Sequence, residues 1–351
     1  MSAAPRLTIV PGGGSRHVAD VAELASRGLA LPHDHASWPR YNTTARWVWA
    51  RVEDDDGRPI SGFAIELRRS RRLPGMRIGR IRRFGRHLHA PLVPVAGELL
   101  TAAARKIPRL LRLDVELFDE DERRRATLAR SLADHGWQPA PSLDYEETLK
   151  LPLAGRDDDA LLAGCNARTR RNIRRTLRHP ELRFEPVSST RWRARLRQLH
   201  RASFERTGGH APELDVDGML AEAANGRDST LIGCFDASRP AAERLIAFAW
   251  ITAQGDHAVY AHAGAIRGGS GAPGAVIMWE AIRWARDRGF DWFDLGGVTS
   301  DEQSPLAGIS TFKRGYAQTR LRVAQTLRHT PSPLVAGIAA GARRMLSGAS
   351  G

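Results

Sequence analysis

Residues 275–295 read AVIMWEAIRWARDRGFDWFDL, and this stretch decides the fold. Apolar side chains recur at helical spacing over Ala275–Arg288, which predicts an amphipathic helix. Gly289 ends that helix, because glycine is the usual residue just past a helix C-terminus. The aromatic-rich run Phe290–Leu295 follows at once and predicts a short strand. The segment is therefore predicted to be one helix–glycine–strand piece of an α/β protein.

The first half of the chain carries the same order of elements. Asp121–His135 is predicted to be a helix, Gly136 ends it, and Trp137 begins an extended segment. Predicted β-meanders precede both helices, so the chain contains two copies of one α/β unit. The order is typical of the GNAT type of acyltransferase, in which a mixed sheet splays to admit an acyl donor. We predict an α/β fold of two tandem GNAT-like (acyl-CoA N-acyltransferase) domains with mixed sheets.

Length and composition set the predicted domain boundaries. A chain of 351 residues is long for one core, which favours two domains. Residues 1–16 are rich in Gly, Pro and Ser and are predicted to be flexible, and 17–150 and 151–330 are the two domains. Residues 331–351 form a predicted C-terminal tail, either flexible or in weak amphipathic contact with a membrane surface.

The chain is strongly basic, with 53 Lys and Arg against 39 Asp and Glu, a net charge of +14. Such a balance favours polyanionic partners: nucleic acid, nucleotide phosphates or an anionic membrane face. Residues 166–206 hold thirteen arginines against three glutamates. A helix is predicted over Asp157–Arg178, and it carries a stripe of Arg168, Arg171, Arg174, Arg175 and Arg178. Two readings stay open for it: a contact for tRNA phosphates, or a solvated charged face.

Several classes of protein are disfavoured. Cys165 and Cys234 make neither a disulfide framework nor a metal site, and the histidines show no metal-ligand spacing. No metal and no cofactor is predicted. The first residues lack a signal sequence, and no apolar run is long enough to span a bilayer. We therefore expect a cytoplasmic protein.

A lysine is rare in this chain. Of the 53 basic residues only Lys106, Lys150 and Lys313 are lysine, and Lys313 follows a glycine-rich loop that begins at Gly296-Gly297. The ammonium is a compact charge with three donors on a flexible stem, unlike the planar guanidinium. It suits the stabilisation of an oxyanion that develops in a cleft.

Two further segments are candidate phosphate sites. Arg206 precedes Gly208-Gly209 at the end of a predicted helix, where an arginine can clamp a phosphate. The loop Arg267–Gly274 precedes the helix of the opening stretch, as a pyrophosphate cradle would. It departs from the coenzyme A pattern Gln/Arg-x-x-Gly-x-Gly/Ala at Ser270, and Pro273 lacks a backbone donor. An ordinary coenzyme A site is therefore disfavoured.

Together these motifs resemble the FemABX family of aminoacyl-tRNA-dependent peptidyltransferases. The resemblance is clear over roughly residues 140–320 and fainter over 25–140. It is carried by Arg171-Asn-Ile-Arg-Arg175, Phe204-x-Arg206-x-Gly208, Tyr260-Ala-His262-Ala-Gly264, Trp279–Gly289, Phe293-Asp294-Leu-Gly-Gly297 and Gly308-x-x-x-Phe312-Lys313-x-Gly315-Tyr316.

The resemblance implies a reaction and a set of residues. The enzymes transfer an amino acid from aminoacyl-tRNA to an amine of a peptidoglycan-precursor peptide, without a cofactor, and no stable protein partner is implied. Lys313 matches the family lysine beside the reacting ester, and Asp114 lies near an acidic residue proposed as the base. The expected substrate-binding residues are Trp38, Arg206, Tyr260, His262, Gly296, Gly297 and Phe312.

The chain departs from the family in three ways. A first-domain lysine near Trp38 is missing, the second of two groove tyrosines is His262, and there is no room for a coiled-coil arm. Two other functions stay open: an acyl-CoA-dependent N-acyltransferase of the double-GNAT type, and a non-catalytic module that binds nucleic acid or a membrane surface. The sequence leaves undecided the amino acid transferred, the acceptor and the oligomeric state.

Overall fold

The structure is a computed structural model that describes residues 6–30, 46–71, 73–86, 88–205, 211, 214–225, 229–266, 271–304 and 306–331. Two compact units divide the chain. The first runs through Asp144 and takes in Val323 and the residues after it, and the second is Tyr145–Arg322. No helix within the described ranges is long and apolar enough to cross a bilayer.

The first unit is built around a seven-stranded sheet. Its elements in chain order are β1 (Arg6–Pro11), α1 (Ser15–Ser26), β2 (Arg46–Glu53), β3 (Pro59–Arg69), β4 (Arg77–Gly85), α2 (Ala96–Lys106), β5 (Leu110–Phe118), α3 (Glu122–Asp134), β6 (Gln138–Pro139) and β14 (Ala324–His329). The strand order is β1-β2-β3-β4-β5-β14-β6. Only β4 and β5 run parallel, with α2 as the crossover between them. Helices α2 and α3 bury leucines such as Leu100 and Leu128 in one core with the sheet.

The second unit contains another seven-stranded sheet. Its elements are β7 (Glu147–Pro152), α4 (Asp158–Gly164), α5 (Ala167–Leu177), β8 (Leu182–Pro186), α6 (Arg193–Glu205), α7 (Val216–Asn225), β9 (Ser229–Asp236), β10 (Leu245–Gln254), β11 (His257–Ala265), α8 (Pro273–Asp287), β12 (Trp292–Val298), α9 (Ala307–Lys313) and β13 (Thr319–Arg322). The strand order is β13-β7-β12-β11-β10-β9-β8, and only β11 and β12 run parallel.

Helices cover both faces of the second sheet. One core joins α4, α5 and α8 to the sheet, with Trp279 and Phe293 at its centre. A second core joins α6 and α7 to the opposite face through Phe248 and Trp250 of β10. Neighbouring residues of β10 alternate between these cores, as successive side chains of a strand point to opposite faces. The predicted α/β class with two units and mixed sheets is thus confirmed.

The internal repeat is real, but the predicted alignment of its two halves is wrong. Helix α8 precedes β12 and links two parallel strands, whereas α3 follows β5. The topological partner of α8 is α2, which links the parallel pair β4 and β5. Gly136-Trp137 and Gly289-Phe290 therefore end helices that hold different places in the two units. Both glycines adopt positive φ, so the local helix-stop signal was correct while the global alignment was not.

Three predicted boundaries also differ from the structure. Residues 1–16, expected to be flexible, include β1, which pairs with β2 and buries Leu7. Residues expected in the second domain up to 330 include β14, which inserts between β5 and β6 of the first sheet. The single helix expected over 157–178 is two helices, because Asn166 caps α5 by accepting the Thr169 N–H at 2.8 Å.

Candidate active site

The second sheet opens where its parallel strands diverge. The ladder between β11 and β12 pairs His257–Val259 with Trp292–Asp294 and ends there. Beyond it, β11 continues alongside β10, and β12 continues alongside β7 after an irregularity between Asp294 and Gly297. A wedge-shaped opening, here called the fork, therefore begins at Tyr260 on one strand and Leu295 on the other.

Glycine at position 296 makes the fork possible. Gly296 adopts φ +76°, a left-handed conformation that favours glycine. A Cβ at this position would lie 3.3 Å from the Tyr260 carbonyl oxygen and 3.4 Å from the Nζ of Lys313. The Asp294 carboxylate holds the bend by accepting the Gly296 N–H at 2.7 Å. A side chain here would be strained and would crowd the lysine.

Lys313 lies at this opening. It is the last residue of α9, and its Nζ donates a hydrogen bond to the Gly297 carbonyl oxygen at 2.9 Å. The residue keeps some accessible surface, but the protein atoms crowded around the ammonium lower the pKa of Lys313 to about 8 by desolvation. The charge of Asp294 acts in the opposite direction. The group is thus still mostly an ammonium at neutral pH and also able to release a proton.

Short polar contacts hold α9 in place. Ser310 accepts the Thr299 N–H at 2.9 Å and donates to the Leu306 carbonyl oxygen at 3.0 Å. After the helix, the buried Tyr316 hydroxyl donates to the Ala275 carbonyl oxygen in the first turn of α8 at 2.7 Å. Phe312 remains partly exposed and contacts the Tyr316 ring, with centroids 5.5 Å apart. The lysine therefore stands on a short helix that is held through Ser310 within it and through Tyr316 after it.

The structure separates two residues that the resemblance placed in one groove. Tyr260 packs on the α8 side of the sheet, near Phe293, and burial raises the pKa of Tyr260 well above its usual range. His262 instead stacks on Trp250 of the opposite core, with centroids 5.7 Å apart. A β-bulge between Trp250 and Ile251 changes the alternation of β11 between these residues. Tyr260 is thus at the fork, and His262 is not beside it.

The predicted tRNA-binding arginines form an exposed face on α5. Arg168, Arg171, Arg174, Arg175 and Arg178 are all exposed, and none has a carboxylate within salt-bridge distance among the described residues. Arg170 differs, because its guanidinium donates to the Cys165 carbonyl oxygen at 2.8 Å and so caps α4. We call the five exposed residues the arginine face.

Helix α5 is tied directly to the lysine segment. The Asn166 N–H donates to the Gly315 carbonyl oxygen at 2.9 Å, two residues after Lys313. Gly315 also packs so closely on Thr169 that a Cβ there would lie 2.2 Å from the Thr169 hydroxyl oxygen. Because Gly315 lies only two residues after the end of α9, the arginine face and the lysine occupy adjoining parts of one unit.

Helix α5 also contacts the end of the loop that departs from the coenzyme A pattern. The Thr176 hydroxyl accepts the Ala272 N–H at 2.8 Å, and Pro273, the next residue, has no N–H. Residues 267–270 lie outside the described part of the chain. Two consecutive backbone positions at the start of α8 are therefore not available as phosphate donors.

Asp114, the predicted base, lies in the first unit on β5. It is 1% exposed, and Arg328 of β14 donates to both of its oxygens at 2.6 and 3.2 Å. Arg112 is a further ion-pair partner at 3.3 Å. In sheet register, Glu66, Arg80, Asp114 and Arg328 form one row of alternating charge across four strands. The base role of Asp114 stays a prediction; Trp38 and Arg206 lie outside the described residues.

Sequence reasoning missed Glu116, two residues further along β5. It is 1% exposed, and its Oε2 accepts the Arg83 N–H at 3.2 Å, where a bulge in β4 places Arg83 at φ 54°. Its Oε1 has no hydrogen-bond partner among the described residues. Desolvation, with Asp144 adding to it, raises the pKa of Glu116 to about 7. Residues two apart on a strand point to the same face, so Glu116 lies on the same face of β5 as Asp114. This spacing is the sequence signal that could have identified Glu116.

Comparisons with known proteins agree with this fold. The acetyltransferase (GNAT) domain family matches residues 163–314, which include the arginine face, the fork and Lys313. FemX has a similar structure, with TM-score 0.68, 14% identity, and coverage of 93% of this chain and 97% of that one. No curated protein sequence matches the chain.

Two other solved structures share the tandem architecture. The C-terminal domain (DUF2156) of a putative lysylphosphatidylglycerol synthetase from Agrobacterium fabrum matches with TM-score 0.54 and 13% identity, covering 95% of this chain and 97% of that one. A tandem GNAT protein from the clavulanic acid biosynthesis pathway matches with TM-score 0.50 and 14% identity, covering 93% and 99%. At these identities the likeness shows the fold, and the domain match supports acyl transfer.

Replacing Glu116 tests the buried carboxyl. Its folded-state pKa of about 7 lies above the ordinary 4.5, so the folded state holds the proton more tightly. Stability from this group is therefore present at low pH and is lost as the pH rises from 4.5 to 7. We expect Glu116→Gln to raise the Tm at pH 8 by roughly 5 °C and to change it little at pH 4.5, measured by calorimetry. Glu98→Gln, an exposed control on α2, should be neutral at both pH values; an equal Tm gain for Glu116→Gln at pH 4.5 and 8 would contradict the assignment.

Proposed function

We propose that the protein is an aminoacyltransferase that moves an amino acid from aminoacyl-tRNA to an amine of a peptidoglycan-precursor peptide or a related peptide-like acceptor. One observation carries the proposal: a desolvated lysine ammonium lies in the fork of a GNAT-like sheet and is tied to an exposed arginine face. The lysine suits acyl transfer from an ester, and the arginines suit a nucleic-acid carrier.

The chemistry needs little beyond position and charge. An aminoacyl ester is already activated, so a neutral amine can attack its carbonyl without ATP or metal. The tetrahedral intermediate carries a negative charge on oxygen, which Lys313 would stabilise by about 3 kcal/mol. Collapse releases the ribose oxygen of the tRNA, which takes up a proton, while the attacking nitrogen loses one. With a pKa of about 8, Lys313 is suited to donate the first of these protons.

Asp114 would accept the proton of the amine in this scheme. Both of its oxygens are engaged by Arg328, so the base role requires that this ion pair opens when the acceptor binds. The proposal for Lys313 does not depend on this assignment.

The arginine face would hold the backbone of the tRNA. Its five guanidinium groups are exposed and without carboxylate partners among the described residues, so phosphates can reach them. Phosphate contacts give affinity and orientation without reading the sequence. The Asn166–Gly315 bond would keep this bound backbone in a fixed relation to Lys313.

The second candidate is an acyl-CoA-dependent N-acyltransferase of the double-GNAT type. The match of the acetyltransferase (GNAT) domain over residues 163–314 favours it. The start of α8 argues against coenzyme A binding, because a pyrophosphate would need backbone donors there. The Ala272 N–H is already bonded to the Thr176 hydroxyl, and Pro273 has no N–H.

A donor assay separates the two functions. The protein is incubated with total tRNA charged with radiolabelled amino acids and with a peptidoglycan-precursor peptide, with and without RNase, and in parallel with labelled acetyl-CoA. We expect label transfer to the peptide only with intact aminoacyl-tRNA. Turnover with acetyl-CoA that survives RNase would favour the second candidate and contradict the first.

Lys313 is expected to carry much of the rate. Lys313→Ala should lower the single-turnover rate by roughly 100-fold or more, the magnitude for a lost oxyanion donor. Lys313→Arg should also be impaired, since the planar guanidinium is bulkier and directs its donors differently. Circular dichroism and the Tm control for folding, and Lys106→Ala is the matched lysine control. A wild-type rate in the alanine variant would remove Lys313 from the mechanism.

The arginine face is expected to bind tRNA phosphates. Each lost phosphate contact makes the slope of log K against log salt shallower by about 0.7–0.9. Arg171→Ala with Arg175→Ala should therefore weaken binding equally for different tRNAs and flatten that slope by about 1.4–1.8, measured by filter binding.

The matched control is Arg123→Ala with Arg130→Ala. These arginines are exposed on α3 of the first unit, and their loss changes net charge by the same amount. If both double variants lower affinity equally, only the overall charge matters and the arginine face is not a site.

A further inference from the structure

We infer that Asp294 is the positioning residue for Lys313. Its carboxylate fixes the bend of β12 that directs the Gly297 carbonyl oxygen to the ammonium. The same carboxylate supplies the negative charge that keeps the ammonium charged in the fork. The inference deepens the proposed function, since it concerns the same site. No role was assigned to Asp294 from the sequence beyond its place in the Phe293–Gly297 motif.

The first observation is geometric. Asp294 Oδ1 accepts two hydrogen bonds, from the Gly296 N–H at 2.7 Å and from the Thr148 hydroxyl of β7. The first bond closes the turn in which Gly296 adopts φ +76°. That turn directs the next carbonyl, of Gly297, to Lys313 Nζ at 2.9 Å. The orientation of the Gly297 carbonyl, which accepts the hydrogen bond from Lys313, thus depends on one carboxylate oxygen of Asp294.

The second observation is the charge. Asp294 is 5% exposed, and no Lys, Arg or His nitrogen lies within 4.0 Å of its carboxylate among the described residues. A buried carboxylate without a close ion pair is costly unless another interaction compensates it. The charge of Asp294 raises the pKa of Lys313 against the desolvation that lowers it. The charge of Asp294 therefore offsets part of the desolvation cost of the Lys313 ammonium.

Other ionisable groups around the fork do not account for the upward effect on the pKa of Lys313. Tyr260 of β11 stays neutral, since burial raises its pKa well above the usual range. Lys150 of β7 stands opposite Asp294 in register, but its ammonium is bonded to the His257 ring, which in turn contacts Asp256. Tyr316, after α9, also has a raised pKa and donates to the Ala275 carbonyl oxygen. Asp294 is the charged group that acts on Lys313 within the described residues.

The chain offers a direct measurement, because it contains only three lysines. Protein labelled with ¹³Cε-lysine should give three ¹³C–¹H signals, and Lys313→Arg identifies the one from Lys313. We expect that signal to titrate near pH 8 in the wild type. In Asp294→Asn, which keeps the size of the side chain and can still accept both hydrogen bonds, the midpoint should fall by about one pH unit or more. Lys106 is the internal control and should not move.

Two further variants separate charge from shape. Asp294→Ser is a smaller neutral replacement and should lower the midpoint as Asp294→Asn does, which protects the test if one of them folds poorly. Thr148→Val removes a hydrogen bond but keeps the charge, so the Lys313 midpoint should stay within about 0.3 units of wild type. An unchanged midpoint in both neutral variants, or an equal shift in Thr148→Val, overturns the inference.

Kinetics connect the titration to the reaction. If the ammonium is the active form, kcat/KM should fall above pH 8 in the wild type, and this alkaline limb should move to lower pH by the same amount in Asp294→Asn. A lower rate with the limb unmoved would indicate a merely structural role and would contradict the inference. Absence of transfer in the wild type contradicts the proposed function alone, since the lysine titration still tests the role of Asp294.

Discussion

An ammonium held between two diverging strands is the interaction on which the site depends. Divergence of β11 and β12 leaves the Gly297 carbonyl without a partner from β11, and a polar group in that position needs a hydrogen bond. Lys313 supplies it at 2.9 Å, at the cost of desolvating its own charge. An arginine would not serve here, because its guanidinium is too wide and retains its proton at any relevant pH. This explains a lysine at position 313 of a chain in which 50 of the 53 basic residues are arginine.

The two units share a topology but place opposite charges at their parallel strand pairs. Both contain a parallel pair joined by a crossover helix, β4-α2-β5 and β11-α8-β12. In the first unit, the backbone N–H of Arg83 donates a hydrogen bond to the carboxyl of Glu116. In the second unit, the ammonium of Lys313 donates one to the Gly297 carbonyl oxygen. Burial shifts the pKa of each group toward neutrality, upward for Glu116 and downward for Lys313. The repeat thus conserves the backbone arrangement while the chemistry of its two halves differs.

Local signals in the sequence were reliable, and non-local pairing was not. The helix stop at Gly289 and the placement of Lys313 after a glycine-rich loop could be read directly, because each depends on neighbours in the chain. The insertion of β14 between β5 and β6 could not be read, because it joins residues that are about 200 positions apart. Side-chain pairing was hidden for the same reason: Asp114 meets Arg328, and Asp294 meets Thr148, only after the sheets form. The break at Asn166 was readable as an N-cap and was missed.

In the second unit, the exposed arginines and Lys313 differ in how their charge depends on pH and surroundings. The arginine face keeps its charge at every physiological pH, so it can hold a polyanion without responding to proton concentration. Lys313 has a pKa of about 8, so its charge responds to small changes in its surroundings. The backbone hydrogen bond from Asn166 to Gly315 joins the helix of the arginine face to the segment that follows Lys313. Under the proposed function, affinity for the carrier and reactivity toward the acyl group would therefore be set by different side chains.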